Sequence, residues 1–384
     1  MSNDPRERAE QRTVLMPRRD LGTELPPLHM LQEFVVDSVL AIGAYSVVYR
    51  ARDTRLQRTV VLKEFMPTAL AQRRPDGQVL ARLPRFAELY AKGLQSFIAE
   101  ARMLGGFDHP AVVKVYRFWA ENGTAYMVMP YYDGVTLDRW LKDLGRPPSE
   151  GWLRKLAGQL MDALAVLHES HCFHRDVAPD NIMMLVDRKA PAGQDPAERS
   201  PRPLLLDFGA ARRVIGDATQ NFTAILKSGY SPMEQYEGEV SLRQGAWTDV
   251  YALCAVLYKA AFGKTPPSSV ARVVRDDMVA ARWAGQGRYS DVFLAAIDAG
   301  LAVLPKQRPQ SMAALGELFR ATEVPPLPPA PPGMAAAVAT PAQVDISLEP
   351  DPDPAAAGPR WLLPAAVVVG ALLLAAIAVL ILRR

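Results

Sequence analysis

Cysteine is almost missing from this 384-residue chain, which holds only Cys172 and Cys254. Two thiols cannot frame a disulfide-stapled fold, and these lack metal-ligand spacing, so both read as core residues of a protein in a reducing compartment. An excess of one charge is missing too. Lys+Arg number 44 against 41 Asp+Glu, in dispersed positions, which gives little support for a polyanion partner, and nucleic acid is not expected as one. The stretch from Met1 to Asp20 is dense in Arg, Glu and Asp and has no apolar core, so it does not read as a secretory signal and the body is expected to start in the cytoplasm. No internal repeat is visible. What remains is a 49% hydrophobic composition, enough to fill one large or two moderate cores.

Proline and charge divide the chain. A cluster from Pro325 to Pro332, followed by an Ala/Pro/Asp stretch to Pro359, cannot bury a core and reads as an extended linker, 323–360. From Trp361 to Leu382 no charge occurs, and about 22 helical residues span about 33 Å, the thickness of a bilayer's hydrocarbon core. The expectation is one membrane-spanning helix, 361–382, with the body on the cytoplasmic side of a cell's inner membrane and the C-terminus outside. Arg360 on one flank and Arg383 with Arg384 on the other orient it poorly. Residues 1–33 are expected to be extended or disordered.

Between these lies one continuous body. Its first part, 34–129, alternates apolar and polar residues in short runs (FVVDSVLAIG, SVVYRARD, RTVVLKEF, AVVKVYRF, TAYMVMPY), the pattern of strands. In 130–322 helical periodicity takes over, as in TLDRWLKDL, WLRKLAGQLMDALAVLHES and DVYALCAVLYKAAF. The fold class is α+β: a strand-rich lobe followed by a helix-rich lobe.

Phosphoryl transfer needs a cover over the phosphates, a cation to hold them, oxygen ligands for a divalent metal, and a base at the attacking hydroxyl. Candidates occur in consistent order: Gly43 in LAIGAYSVVY, Lys63 in VVLK, Glu100 in SFIAEARMLGGF, Asp176 and Asn181 in HRDVAPDN, Asp207 in LDFG, Glu234 in GYSPMEQY, Asp249 in WTDVY and Arg308 in KQRP. DFG alone carries little weight; joined to HRD and a spaced Asn it is specific. Over roughly three quarters of the chain this set resembles the two-lobed eukaryotic-like protein kinase domain. KEFMP, FGAAR, GYSPMEQY, WTDVYAL and RPQS are similar to bacterial serine/threonine protein kinases in particular.

The resemblance implies ATP and Mg²⁺ (or Mn²⁺) as cofactors and protein substrates phosphorylated on Ser or Thr, with a homodimer open as the route to autophosphorylation. Asp176 is implied as the base, Lys63 as the phosphate-gripping cation paired with Glu100, and Asn181 with Asp207 as metal ligands. Gly43, Val48, Val61, Met129 and Tyr131 are implied around the nucleotide, with the hinge near Met129, Pro130 and Tyr131. A Glu234–Arg308 pair would clamp the large lobe, and Asp249 would support the catalytic loop. Arg175 ahead of Asp176 suggests that a phosphate on Thr219, Thr223 or Ser228 is sensed. Asp180 stands where similar tyrosine kinases carry arginine, which favours Ser/Thr acceptors.

The sequence also departs from the pattern. Ala41 and Ser46 stand where glycines are usual, Val61 where alanine lies against adenine, and Ala178 where Ser/Thr members carry a lysine near the γ-phosphate. Lys227, placed where those members often have threonine, is read as returning the lost cation from the opposite side of the cleft. A pseudokinase serving as a membrane-anchored binding module stays open as the alternative.

Overall fold

In the computed structural model, residues 23–186, 195–207, 226–236 and 243–327 are described. All of them belong to one compact unit, Met1–Pro329. The expected span at 361–382, most of the linker, Phe208 and Gly209 of DFG, and Thr219 and Thr223 lie outside the described residues. No helix among the described residues is long and apolar enough to cross a membrane.

The first lobe is built on a six-stranded antiparallel sheet. In chain order the strands are β1 (Met30–Leu31), β2 (Phe34–Ile42), β3 (Ser46–Asp53), β4 (Arg58–Phe65), β5 (Ala71–Arg73), β6 (Val79–Ala81), β7 (Arg117–Glu121) and β8 (Thr124–Pro130). The sheet runs β1-β2-β3-β4-β8-β7, with β5 and β6 paired separately. It curls, because β7 meets the β1–β2 turn. Arg117 bonds Glu33 at 2.6 Å and Gln32 at 2.5 Å, and Trp119 stacks on Phe34.

The lobe begins ahead of the boundary expected at 34, since Leu25 and Leu31 are core residues. A second difference concerns AVVKVYRF. The strand starts at Arg117 rather than Ala111; the valines ahead of it are buried in a connecting segment that bonds Leu205 of the other lobe, Val113 N to Leu205 O at 3.0 Å. Apolar alternation there records a crossing between lobes, not a sheet position.

Helix α1 (Ala87–Leu104) turns Tyr90, Phe97, Ala101 and Leu104 inward at helical spacing. Phe97 and Tyr90 pack on Phe65 of β4, so the helix lies against the end of that strand.

After β8 comes β9 (Gly134–Thr136), then α2 (Leu137–Leu144), α3 (Glu150–Glu169), β10 (Ile182–Leu185) and β11 (Pro203–Leu205), the three strands forming a small sheet β11-β10-β9. The remaining α-helices among the described residues are α4 (Ala246–Phe262), α5 (Ser269–Val274), α6 (Ala281–Ala284), α7 (Asp291–Gly300) and α8 (Met312–Arg320). Ser149 and Thr136 cap α3 and α2 by accepting backbone N–H bonds. From Thr248 to Ala261, α4 is buried at all but Lys259, which makes it the axis of this lobe. Cys254 on α4 lies so close to Gly300 on α7 that a Cβ there would come within 2.2 Å of its Sγ. Both cysteines are buried and free.

Candidate active site

Consecutive side chains on a strand face opposite ways, so Val61 and Lys63 of β4 share one face and Leu62 and Glu64 the other. Directly paired residues of antiparallel strands share a face as well. Val48 opposite Lys63 and Met129 opposite Val61 therefore join the first set, and the expected nucleotide-lining residues fall on one side of the sheet. Tyr131 follows β8, and the Arg50 guanidinium stands 5.8 Å from its ring centre.

Gly43 sits in the β2–β3 turn and donates its N–H to Ser46 O at 2.8 Å. A Cβ there would meet nothing closer than that oxygen at 3.4 Å. Ala41 pairs with Val48 next to a register shift after Val39, and Ser46 pairs with Phe65; neither has a positive φ, so the backbone conformation itself needs no glycine at either. The turn is tied down from behind: Met66 N donates to Tyr45 O at 2.9 Å and Thr68 N to Ala44 O at 3.2 Å.

On the cleft side Lys63 reaches two carboxylates, Glu100 from α1 at 3.8 Å and Asp207 just past β11 in direct hydrogen bond. Desolvation pulls the pKa of the lysine down, but Asp207 and then Glu100 outweigh it, and the ammonium is held above its ordinary range. Desolvation likewise pushes Asp207 up, and Lys63, with help from His174 and Lys227, outweighs it and holds the carboxylate below the usual range. Both groups are thus charged at neutral pH.

The catalytic loop is held from beneath. Asp249, wholly buried at the start of α4, accepts N–H bonds from His174 at 2.9 Å and Arg175 at 2.7 Å, and its other partner is His168 Nε2 at 2.8 Å. Arg175 has φ of 62°, a left-handed conformation that costs a non-glycine residue about 1–2 kcal/mol. The bond to Asp249 fixes the residue before Asp176 in it. His174 bonds Leu206 O at 3.0 Å, and Leu206 N donates to Asn181 O at 2.9 Å, so the loop and the Asp207 segment hold one another in register.

Asn181 Nδ2 donates to Asp176 Oδ2 at 2.6 Å and to Asp176 O at 2.9 Å. With its amide nitrogen so engaged, its carbonyl oxygen is left for other work. That oxygen and the Asp207 carboxylate are hard ligands, too few to enclose a metal and suited to Mg²⁺ that keeps water and phosphate oxygens around it. Among the described residues no cluster of three or more His, Cys, Asp or Glu forms a metal cage. Lys227 enters from the segment before Ser231, with Nζ 2.6 Å from Asp180 Oδ1 and 3.6 Å from Asp176 Oδ1. Ala178 is 1% exposed.

The expected clamp is present. Arg308 meets Glu234 with two bonds, 2.7 and 3.1 Å, both side chains fully buried, and Thr248 Oγ1 donates to the same carboxylate at 3.0 Å.

Sequence reasoning missed a polar cluster behind Lys63. Glu64, facing the other way, accepts from Tyr49 Oη at 2.8 Å and Arg73 Nη2 at 2.5 Å. Leu25 N donates to Tyr49 Oη at 3.1 Å, and Arg73 Nε to Thr23 O at 3.0 Å. Burial first, then Glu64, pushes the Tyr49 phenol far up, so it acts as a neutral hydroxyl. The alternation of β4 could have shown that Glu64 leaves the cleft, but not that this second face is closed as well.

This assembly agrees with comparison to known proteins. The family profile described as protein kinase domain matches residues 34–319, and the chain belongs to that family. Serine/threonine-protein kinase PknB of Mycobacterium tuberculosis is 31% identical over 300 residues, 75% of this chain and 42% of that protein. Serine/threonine-protein kinase pkn3 of Myxococcus xanthus is 28% identical over 244 residues, 61% and 38%. The chain thus spans about two fifths of the length of these curated relatives. Among solved structures, PpkA-294 in its apo form superimposes with a TM-score of 0.68 at 38% identity, covering 77% of this chain and 99% of that one. The Mycobacterium tuberculosis PknI kinase domain, at 19% identity, has TM-score 0.53 and coverage of 77% and 98%, a likeness of fold.

Proposed function

We propose that this chain is a membrane-tethered serine/threonine protein kinase, passing the γ-phosphoryl group of ATP to hydroxyls on proteins. The observation that carries the reading is the convergence of Lys63, Glu100, Asp207, Asn181 and Asp176, drawn from both lobes, with Lys63 and Asp207 held in the charged forms that phosphate and metal binding need. The relatives named as serine/threonine-protein kinases support the acceptor type. Bound ATP with Mg²⁺ would supply the reacting phosphoryl group with part of its charge neutralised. Lys63, steadied by Glu100, would grip the phosphates of the bound nucleotide. Asn181 and Asp207 would hold the metal. Asp176, oriented by Asn181, aligns the acceptor hydroxyl and takes its proton. Lys227 supplies the γ-phosphate with the cation that Ala178 lacks.

Purified full chain incubated with γ-labelled ATP should incorporate label into Ser or Thr, and Asp176→Asn should abolish it. No labelling by wild type with ATP still bound favours the pseudokinase module instead, and equal labelling by both takes the role of base away from Asp176. Lys227→Met should lower turnover by roughly 100-fold, with little change in ATP affinity. Tethering rests on the uncharged run 361–382. The full chain should sediment with membranes and resist carbonate extraction, whereas a chain ending at 360 should be released.

A further inference from the structure

Asp180 has no part in the phosphate chemistry above, yet it makes the shorter of the two contacts to Lys227, 2.6 Å against 3.6 Å to Asp176. The first is a charge-assisted hydrogen bond; the second is too long to be one. We propose that Asp180 is the positioning residue that holds the Lys227 ammonium between the catalytic carboxylate and the transferring phosphate. This rests on the reading of Lys227 given above.

Both anchors are stiff. Lys227 O accepts N–H bonds from Tyr230 and Ser231, each at 3.0 Å, and the turn is pressed against its neighbour at Gly229. There φ is 85°, and a Cβ would lie 2.4 Å from Pro266 O. Ser269 Oγ donates to Ser231 O at 2.9 Å, which fastens the end of the turn to α5. On the other side Asp180 belongs to the 3-10 turn Pro179–Asn181, closed by Asn181 N to Ala178 O at 2.9 Å.

The lysine side chain is 19% exposed and that of Asp180 59%, so the carboxylate pulls the ammonium from the solvent side. Without it, Asp176 is the nearer anion. An ammonium bonded outright to Asp176 occupies an oxygen that the acceptor hydroxyl needs and is drawn back from the phosphate. Asp180 prevents both by sharing the charge.

The test is a double-mutant cycle on the full-length chain, with γ-labelled ATP and histone as acceptor. Asp180→Asn, nearly isosteric, should lower kcat about tenfold, as loss of one charge-assisted bond implies, with the KM for ATP and for histone within about twofold of wild type. In the Lys227→Met background the same substitution should change kcat by less than about twofold, because there is no ammonium left to hold. Asp180→Glu should recover part of the loss. Equal effects of Asp180→Asn in both backgrounds, or a raised histone KM in both, would overturn the proposal and make Asp180 an acceptor-binding residue. A loss of turnover that follows an equal fall in melting temperature in both backgrounds would overturn it as well. Should Lys227→Met itself leave kcat unchanged, the role assigned to Lys227 fails and the inference with it, a result told apart from the others by that single variant.

Discussion

Replacing Asp249 with alanine tests how the catalytic loop is held. The carboxylate accepts two buried backbone N–H groups, those of His174 and Arg175, and bonds His168. Each buried donor left unsatisfied costs about 1–3 kcal/mol, so the two amides alone set the loss at about 2–6 kcal/mol. For a domain of this size the melting temperature should fall by about 5–20 °C. Function should suffer more than stability. The αL backbone of Arg175 loses its fastening, Asp176 moves with it, and a displacement near 1 Å at a reacting group can cost about 100-fold in kcat. Burial pushes the Asp249 carboxyl up, but His168 and the Arg175 amide outweigh it and its pKa lies below the usual aspartate value. The folded form therefore binds this proton less readily than the unfolded chain, and the stabilisation is complete at neutral pH. It is lost only as pH falls through that depressed value. Urea unfolding at pH 7 should return that loss for Asp249→Ala relative to wild type. A difference under about 1 kcal/mol with kcat within about threefold of wild type would refute the account.

Other outcomes follow from single contacts. Glu100→Gln keeps the shape but removes one of the two charges facing Lys63, and should raise the KM for ATP by about tenfold, measured by initial rates against ATP concentration. Arg308→Met leaves Glu234 buried without its cation and should cost about 3–5 kcal/mol in urea unfolding. Gly300→Ala forces a methyl group against Cys254 Sγ and should destabilise by about 1–3 kcal/mol, whereas Gly300→Ala with Cys254→Ala should recover most of it, read by thermal melts.

The motif residues were legible because HRD with its spaced Asn and DFG occur together and resemble a known set, and that resemblance implied the Glu234–Arg308 clamp. The change from strand alternation to helical periodicity marked the two lobes. Harder to see were partners brought together only by packing. His168 and Asp249 stand on different helices, Asp180 and Lys227 were each noticed without being paired, and nothing local joins Tyr49 and Arg73 to Glu64. The hairpin β5–β6 went unread because its three-residue strands are too short for periodicity to register. The glycine-poor loop read as a departure, since the resemblance supplied an expected residue type. Ala41 and Ser46 pair with Val48 and Phe65, Ala41 beside a register shift after Val39, and neither has a positive φ.

Lys63 and Glu64 are neighbours in β4 with nothing in common but the peptide bond between them. The first offers an amine to the cleft, the second a carboxylate to the closed interior where Tyr49 and Arg73 receive it. A slip of one place in the pairing of this strand would exchange them, setting an anion before the phosphates and an ammonium beside a guanidinium. Misalignment here has no partial form: the chain that pairs its strands wrongly loses its interior and its chemistry in the same step.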